Sequence, residues 1–333
     1  PMKTPKPNRF PATRAALLAS ACGLLATPAT AATFTWDGGG ADGNWSTDAN
    51  WNPDGAPGST GNILIFGGTT NLSAANNSLS VLATSGTAIT FASGAGSFNL
   101  SGNPLIVGSG GGAGQLIVQQ NSASPQTIGL NLNFSDGNGD RSIVFASGAG
   151  SLTLSGNINF GSGGNGDWLF PTTTAGTLIL SGNNTGDGKG TNALTAGTNL
   201  MKAMMRNNVA GTNLILGSDT ALGNSGSGDS AAGTASFRGI IANQQLNLAT
   251  TGGNRSLPGS SLIINANNIT CNGTANLTLA HLISHGGNRD FVVSGTGAVT
   301  LTGGIFLSGD QTGRQLYVNL SGTGGMTVNG PVA

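Results

Sequence analysis

One stretch of the sequence occurs twice in nearly the same form. Residues 89–103 read ITFASGAGSFNLSGN, and residues 143–157 read IVFASGAGSLTLSGN. A second pair of similar segments is SGTGAVTL at 294–301 and SGTGGMTV at 321–328. Its two copies are half as many residues apart as the copies of the first pair. Repeats of roughly 20 to 50 residues are typical of solenoids, propellers and arrays, in which each unit is too small to bury its own apolar face. We therefore expect a stacked fold with a unit of about 27 residues.

Short apolar segments alternate with polar residues along the chain. In residues 128–134, 152–154 and 277–279, Leu, Ile or Phe occupies every second position. This period places the apolar side chains on one face of a β-strand. We predict an all-β fold, a right-handed parallel β-helix (β-solenoid), in which each coil pairs with the coils on either side. The alternative is a β-sandwich, which also has short strands but gives no reason for the repeat.

The composition argues against a mainly helical protein and against disorder. Only 7% of the residues are charged, and Glu does not occur. Soluble helices normally cover their wet face with Glu, Lys, Arg and Ala, so few such helices can form. Disordered chains combine low hydrophobicity with charge or long polar tracts, whereas 37% of this chain is hydrophobic.

Residues 1–31 have the pattern of a signal peptide. Four basic residues and no acid precede an apolar run at 15–26, and Ala29 and Ala31 follow at the small-residue positions of a cleavage site. We predict cleavage after Ala31, with Ala32 as the alternative. The apolar run is too short to span a membrane, so no membrane span is predicted in this chain. The implied partner is the secretion machinery, and the implied location is extracellular or at the outer-membrane-associated cell surface.

Loss of this leader leaves eight basic residues against twelve Asp. A mildly acidic chain without a basic patch is not expected to bind nucleic acid. Cys271 would be the only cysteine, so an intrachain disulfide is excluded and backbone hydrogen bonding must supply the order.

The remaining chain divides into two regions. Residues 32–70 form a Trp-rich segment that we interpret as an N-terminal cap, and residues 71–333 form the repetitive solenoid. An irregular insertion is predicted near 186–210, where the Met-rich stretch at 199–209 could form a short helix, a loop or a cap. Met usually fills irregular gaps, so no cofactor site is assigned there.

Trp36, Trp45 and Trp51 lie close together in the sequence. A solenoid end exposes apolar surface and unpaired strands unless a cap covers it, so we assign these rings to the cap. The alternative is a ligand-stacking platform for sugars.

Asn103, Asn157 and Asn183 each follow Leu-Ser-Gly. We interpret them as turn residues in the left-handed αL conformation, with a ladder of amide hydrogen bonds between coils as the alternative.

Two sets of segments resemble a known family. The first is FTWDGGGADGNWSTDANW at 34–51 with ILIFGG at 63–68, and the second is GTLILSGNNT at 176–185 with GTNLILG at 211–217. They resemble the opening and the repeat unit of bacterial autotransporter-associated β-strand repeat proteins. In that family the second half of the unit follows closely, whereas residues 186–210 intervene here.

The resemblance implies export, surface exposure and a passenger-like β-helix, without implying a ligand. Full-length members typically end in an outer-membrane barrel or a sorting signal. Neither is visible before Ala333, so an N-terminal fragment is expected.

Candidate chemical groups are sparse. The Asp residues are scattered beside Gly or Asn, which is typical of loops, so no catalytic residue, no cofactor and no enzyme activity are predicted. Asp136, Asn138 and Asp140 resemble the start of a calcium loop and are the candidate metal ligands, although Arg141 replaces the turn glycine. His281 and His285 are assigned to packing or to solvent, because no third ligand lies nearby.

The predicted function is an exported, non-catalytic surface protein, adhesin-like or a structural stalk of passenger type. Its partner would be an extracellular glycan or the surface of a host or neighbouring cell. The alternative is an extracellular carbohydrate-binding or polysaccharide-cleaving β-helix protein.

Overall fold

The computed structural model describes Met2 and residues 32–82, 87–107, 115–134, 141–159, 170–171, 173–185, 203–223, 238–258, 262–265, 267–285, 289–307 and 315–332. The regular structure in these residues is β-strand, apart from one 3-10 turn at Asp48–Asn50. The predicted leader at 1–31 lies outside them except for Met2. None of the helical structure that is described has the length and apolar character required to cross a membrane.

The strands in the first part of the chain are short and closely spaced. They are β1 (Thr33–Trp36), β2 (Trp51–Asn52), β3 (Thr60–Phe66), β4 (Ser73–Asn76), β5 (Val81–Leu82), β6 (Thr87–Phe91), β7 (Asn99–Gly102), β8 (Leu105–Val107), β9 (Gln115–Gln120), β10 (Gln126–Ile128), β11 (Leu132–Phe134), β12 (Arg141–Phe145), β13 (Leu152–Leu154), β14 (Ile158–Asn159), β15 (Phe170–Pro171) and β16 (Thr177–Leu180).

The strands in the second part of the chain are also short. Its strands are β17 (Ala203–Asn207), β18 (Thr212–Leu216), β19 (Arg238–Ala242), β20 (Leu246–Thr250), β21 (Arg255–Leu257), β22 (Leu262–Asn265), β23 (Ile269–Cys271), β24 (Leu277–Leu279), β25 (Leu282–His285), β26 (Arg289–Val293), β27 (Val299–Leu301), β28 (Ile305–Leu307), β29 (Leu316–Leu320) and β30 (Met326–Val328).

One parallel sheet, which we call the long sheet, runs through nearly all of the described chain. Its ten strands follow the order β4, β7, β10, β13, β16, β18, β20, β23, β26 and β29. The other strands form shorter stacks, namely β3-β6-β9-β12-β15 and β5-β8-β11-β14 beside its first half, and β17-β19-β22-β25-β28 and β21-β24-β27-β30 beside its second half. Strands that follow one another in sequence thus enter different stacks, and each coil returns to the long sheet.

This pairing confirms the predicted β-solenoid. Among the described strands, the antiparallel pair is β1 with β2, and the other pairs are parallel. A β-sandwich needs two antiparallel sheets, so that alternative is wrong.

Rows of inward side chains fill the solenoid. Along the long sheet Leu152, Leu178, Leu214 and Leu248 stack in register, and Cys271 takes the next position. All five are buried. Because the alternate residues point outward, three-residue strands such as Leu152–Leu154 show the burial pattern that their sequence predicts.

The repeated Leu-Ser-Gly-Asn motif marks a corner where successive coils come too close for a side chain. A β-carbon on Gly182 would collide with the carbonyl oxygen of Gly156, and one on Gly156 would collide with that of Leu130. The same holds in the other repeat, where a β-carbon on Gly322 would collide with the carbonyl of Gly295. The repeat therefore preserves backbone clearance as well as the apolar row.

The predicted irregular insertion near 186–210 is regular over part of its length. Residues 186–202 lie outside the described residues, but Ala203–Asn207 form β17, parallel to β19. Met205 pairs with Ile240 and is fully buried, so it belongs to an inward row. Residues 203–207 are thus neither the loop or cap nor the short helix considered from the sequence, and the unbranched Met205 side chain fits an inward position beside Ile240.

Residues 33–52 form backbone hydrogen bonds to two strands of the first coil, β3 and β4. β1 pairs with β3, and β2 pairs with β1. Beside β4, the Trp45 amide donates to the Ala75 carbonyl at 2.9 Å, and the Ala75 amide donates to the Gly43 carbonyl at 2.7 Å. This segment therefore satisfies backbone groups at the N-terminal end of two stacks.

Candidate functional site

The three tryptophans converge on Phe66 in β3. Trp36 and Trp51 meet edge to face, with ring centroids 5.1 Å apart at 90°, and Trp45 and Trp51 meet at 6.1 Å and 84°. The Phe66 ring lies 5.6 Å from that of Trp45 and 5.4 Å from that of Phe98. Edge-to-face contacts of this kind stabilise aromatic pairs beyond the area that they bury.

The burial of these rings contradicts the ligand-stacking alternative. Trp36, Trp45 and Trp51 are each 0% exposed. A sugar can stack only on a ring face that solvent reaches, and no such face remains on these three rings. The Trp51 indole N–H also donates to the Trp45 carbonyl at 2.8 Å, which ties the rings to the local backbone.

A hydrogen-bonded loop beside the tryptophans contains Asp42. Its carboxylate accepts from the Thr47 hydroxyl at 2.7 Å and from the Asn44 amide at 3.0 Å. The pKa of Asp42 is lowered, because the Thr47 and Asn44 donors favour the charged carboxylate. Asn50 is buried and donates to the carbonyls of Asp42 and Asn44, each at 2.9 Å. The Asp42 donors all belong to the loop, so this carboxylate organises the turn.

The candidate calcium ligands cannot be placed. Asp136, Asn138 and Asp140 lie outside the described residues. Within the residues whose positions are described, no three His, Cys, Asp or Glu side chains come together as a metal site would require.

His281 and Cys271 are two buried titratable groups. His281 is 1% exposed, its Nδ1 has no hydrogen-bond partner, and burial lowers its pKa to about 4. Burial also raises the pKa of the Cys271 thiol to about 12. A neutral thiol in a leucine row behaves as a small apolar side chain, so we assign Cys271 to packing.

The asparagines that follow Leu-Ser-Gly are not the αL turn residues that we preferred from the sequence. Two of them, Asn157 and Asn183, take part in a ladder of hydrogen bonds between coils. The backbone N–H of Asn157 donates to Asn131 Oδ1 at 2.8 Å, and the backbone N–H of Asn183 donates to Asn157 Oδ1 at 2.9 Å. Among the described residues other than glycine, a positive φ occurs at Asn71 alone, so the αL interpretation fails. Asn103 is not part of this ladder, since its amide donates to a backbone carbonyl.

A second ladder, which the sequence analysis missed, lies where the strands of the β21-β24-β27-β30 stack begin. The backbone N–H of Asn276 donates to Asn254 Oδ1, and the backbone N–H of Ala298 donates to Asn276 Oδ1, both at 2.9 Å. The donor and acceptor residues are the same number of positions apart in both bonds. This separation equals that between the paired residues Leu277 and Val299. A scan for Asn at this shorter offset would have found the second ladder.

One outer face of the solenoid, along the β21-β24-β27-β30 stack, presents a row of neutral hydrogen-bonding groups. Ser256, Thr278, Thr300 and Thr327 stack in register between inward residues. Their hydroxyls repeat at roughly 4.8 Å along the coil axis. Hydroxyls can bind a polar surface, but they need a neighbouring base to act as nucleophiles.

No protein-family model, no curated protein and no solved structure matches this chain. The resemblance to autotransporter-associated repeat proteins therefore remains a prediction from the sequence.

The burial of His281 predicts an acid-sensitive fold. The neutral form is favoured in the folded chain, so the stability that it contributes is complete above the ordinary pKa of 6.5 and is lost as pH falls toward 4. Between pH 7.5 and pH 5.5 this group alone should lower the free energy of unfolding by about 1.4 kcal/mol. Urea denaturation of residues 32–333 at both pH values measures the loss.

The matched control is His281→Phe, which fills the site without a titrating group. Its stability should change less between the two pH values, by about the same 1.4 kcal/mol. Equal pH dependence in both proteins would show that His281 is not the group responsible.

Proposed function

We propose that this chain is the exported, non-catalytic rod of a surface protein, acting as a stalk or as an adhesive spacer. The long sheet is the observation that carries the proposal, since its ten parallel strands rise through the described chain without a break in order. At roughly 4.8 Å per strand, the nine steps of this sheet span on the order of 43 Å. A continuous stack of this kind supports a role in holding other parts of a molecule apart.

The side chains of the described coils support the same proposal. Apolar rows such as Leu152, Leu178 and Leu214 fill inward positions, and one outward row carries Ser256, Thr278, Thr300 and Thr327. Among the described residues, the two groups with strongly shifted pKa values, His281 and Cys271, are both buried. Catalytic groups usually have perturbed pKa values at a cleft that substrate can enter, and the burial of these two favours packing instead.

The N-terminal tryptophans fit the stalk as an end piece. We infer that residues 33–52, within the predicted cap at 32–70, cap the first coil, because they bond its backbone edges and their tryptophans cover Phe66. Capping units keep a stacked repeat soluble and prevent fraying from the end.

Export is tested by expressing the full chain in a Gram-negative host and determining the N-terminus of the product. The leader predicts a product that begins at Ala32 and that external protease removes from intact cells. Ala31→Leu should block cleavage, whereas the same change at Ala26, inside the apolar run, should not. A product that keeps residues 1–31 and stays in the cytoplasm would contradict the proposal.

The non-catalytic role is tested on purified residues 32–333. We expect no release of reducing ends from a panel of polysaccharides. A rod that acts only as a spacer predicts a second result. Cells that display the chain should adhere equally well before and after Ser256→Ala. Turnover that disappears when two neighbouring Asp are changed to Asn would instead establish a polysaccharide-cleaving enzyme.

A further inference from the structure

Asn272 and Gly273 form an Asn-Gly pair at the corner that follows β23. Asn272 comes directly after the last residue of this strand, and it is exposed. Within the described residues, neither the Asn272 side chain nor the Gly273 N–H makes a hydrogen bond. Glycine has no side chain to shield its own nitrogen, and it adopts more backbone conformations than any other residue. The pair can therefore bring the Gly273 nitrogen up to the side-chain carbonyl of Asn272.

The next asparagine along the chain, Asn276, is held in place. It lies in the second ladder, where its Oδ1 accepts the backbone N–H of Ala298 at 2.9 Å. It is followed by Leu277, whose side chain is buried. A bond to Oδ1 and a fixed, bulky neighbour both oppose the movement that an attack on the side-chain carbonyl requires. Asn276 is also exposed, so it is a matched comparison for Asn272.

A small cavity beside the corner leaves room for the Gly273 peptide to move. The cavity has a volume of about 10 Å³, and its lining includes Thr250, Cys271 and Gly273. A β-carbon on Gly273 would lie 3.3 Å from the Thr250 nitrogen, so the glycine leaves open a space that a side chain would take up. A space of this size accommodates about one water molecule. The corner thus combines room for movement with access for water.

We propose that Asn272 is a site of spontaneous modification, at which the backbone converts the side-chain amide into a carboxylate. The Gly273 nitrogen attacks Cγ of Asn272, so that a bond forms between these atoms and the bond from Cγ to Nδ2 breaks. Ammonia leaves with the proton that the Gly273 nitrogen loses, and a cyclic succinimide remains. Such an intramolecular attack is effective because the two groups are held next to each other. The inference does not depend on the proposed function.

Water then opens the succinimide at either of its carbonyl carbons. The hydroxyl of the water stays on that carbon, and its other proton goes to the Gly273 nitrogen. Opening at Cγ restores the normal main chain and leaves aspartate. Opening at the backbone carbonyl carbon leaves isoaspartate, in which the main chain runs through Cβ and Cγ of residue 272. Both products carry an added negative charge, and no oxidant or reductant takes part.

The isoaspartate product does not fit against the next coil. Gly295 lies against this corner so closely that a β-carbon on it would collide with the Gly273 carbonyl. The Ser294 N–H also donates to the Cys271 carbonyl at 2.9 Å. An extra main-chain carbon at Asn272 must displace the Gly273 carbonyl, although the neighbouring coil leaves no space on that side. We therefore expect isoaspartate to loosen the hydrogen bonds between the two coils at this corner.

Incubation of purified residues 32–333 in mildly alkaline buffer tests the chemistry. Peptide mass spectrometry, with fragmentation that distinguishes aspartate from isoaspartate, should find Asn272 converted to both acids while Asn276 is still an amide. The conversion should be faster at higher pH, because the attacking nitrogen must lose its proton. Asn272→Gln, whose longer side chain cannot close the same ring, should abolish it.

Two results would overturn the proposal. One is an Asn272 that stays an amide for as long as Asn276 does. The other is conversion in urea but not in the folded protein, because the fold would then hold the Asn272 carbonyl away from the Gly273 nitrogen.

Hydrogen exchange tests the structural consequence. Chromatography separates the isoaspartate form from the parent and from the aspartate form. In the isoaspartate form the amides of Ser294 and Gly295 should exchange at least about tenfold faster, a change that corresponds to about 1.4 kcal/mol of local stability. Asn272→Asp adds the same charge on a normal main chain and should exchange like the parent. Equal exchange in the isoaspartate form and in Asn272→Asp would overturn the inference that the modification loosens the coils.

Discussion

Replacing Trp51 with alanine is expected to lower the free energy of unfolding by about 3–5 kcal/mol. Trp51 is fully buried, and its ring contacts those of Trp36, Trp45 and Phe66. The substitution also removes the donor to the Trp45 carbonyl. Urea denaturation of residues 32–333 measures the total loss.

The loss should be localised at one end of the solenoid. Stacked repeats contact mainly their neighbours, so removal of a cap frays the nearest coils first. Hydrogen exchange should therefore accelerate in β3 and β6 well before it does in β23 and β26. Trp51→Phe keeps an aromatic ring and should retain most of the stability. A uniform rise in exchange along the whole chain would contradict the capping role.

Replacing Gly182 with alanine is expected to cost about 3 kcal/mol, the upper end of the range for overpacking. The added β-carbon collides with the carbonyl oxygen of Gly156, and a backbone group cannot rotate out of the way as a side chain can. The nearby bond from the Ser181 amide to the Leu154 carbonyl, at 3.0 Å, would have to lengthen. Thermal and urea unfolding of the purified variant measure the effect.

Gly325→Ala is the matched control for this substitution. A β-carbon on Gly325 meets nothing within 4 Å, and its φ is not in the left-handed region. This change should leave the stability within about 0.5 kcal/mol of the parent. If Gly182→Ala is equally harmless, the coils do not approach each other as closely at this corner as the structure shows.

Much of the fold could be predicted from the repeats. The return of residues 89–103 at 143–157 indicated stacking, and the alternation in Leu152–Leu154 indicated which side chains point inward. The sequence could not reveal that β17 is the first strand of the stack β17-β19-β22-β25-β28, because Met205 occupies a position where the next coil carries Ile240.

The number of residues in each coil also varies along the chain. A search for repeats at one fixed period therefore misses some coils. One step of the long sheet pairs Leu178 with Leu214, whereas a later step pairs Ile269 with Phe291 over a much shorter stretch of chain. The loops between strands absorb this difference, because only the strands must keep their register with the neighbouring coil.

The candidate site was less predictable. Clustering of Trp36, Trp45 and Trp51 in the sequence is compatible with both a cap and a sugar platform, and only burial distinguishes them. The asparagine ladder depends on which neighbouring coil supplies each amide. Asn131 has no Leu-Ser-Gly before it, so its place beneath Asn157 becomes visible only through the coil register.

A continuous rod is the central claim, and paired spin labels test it most directly. Asn99 in β7 and Asn319 in β29 are both exposed, and they are separated by eight strand steps of the long sheet. Residues 32–333 with Cys271→Ala and a spin-labelled cysteine at each position should give one narrow distance of about 38 Å, allowing roughly 4.8 Å per step. A second pair at Asn99 and Asn247, five steps apart, should give about 24 Å. Broad distributions, or distances whose ratio departs from eight to five, would contradict a single stack of parallel coils.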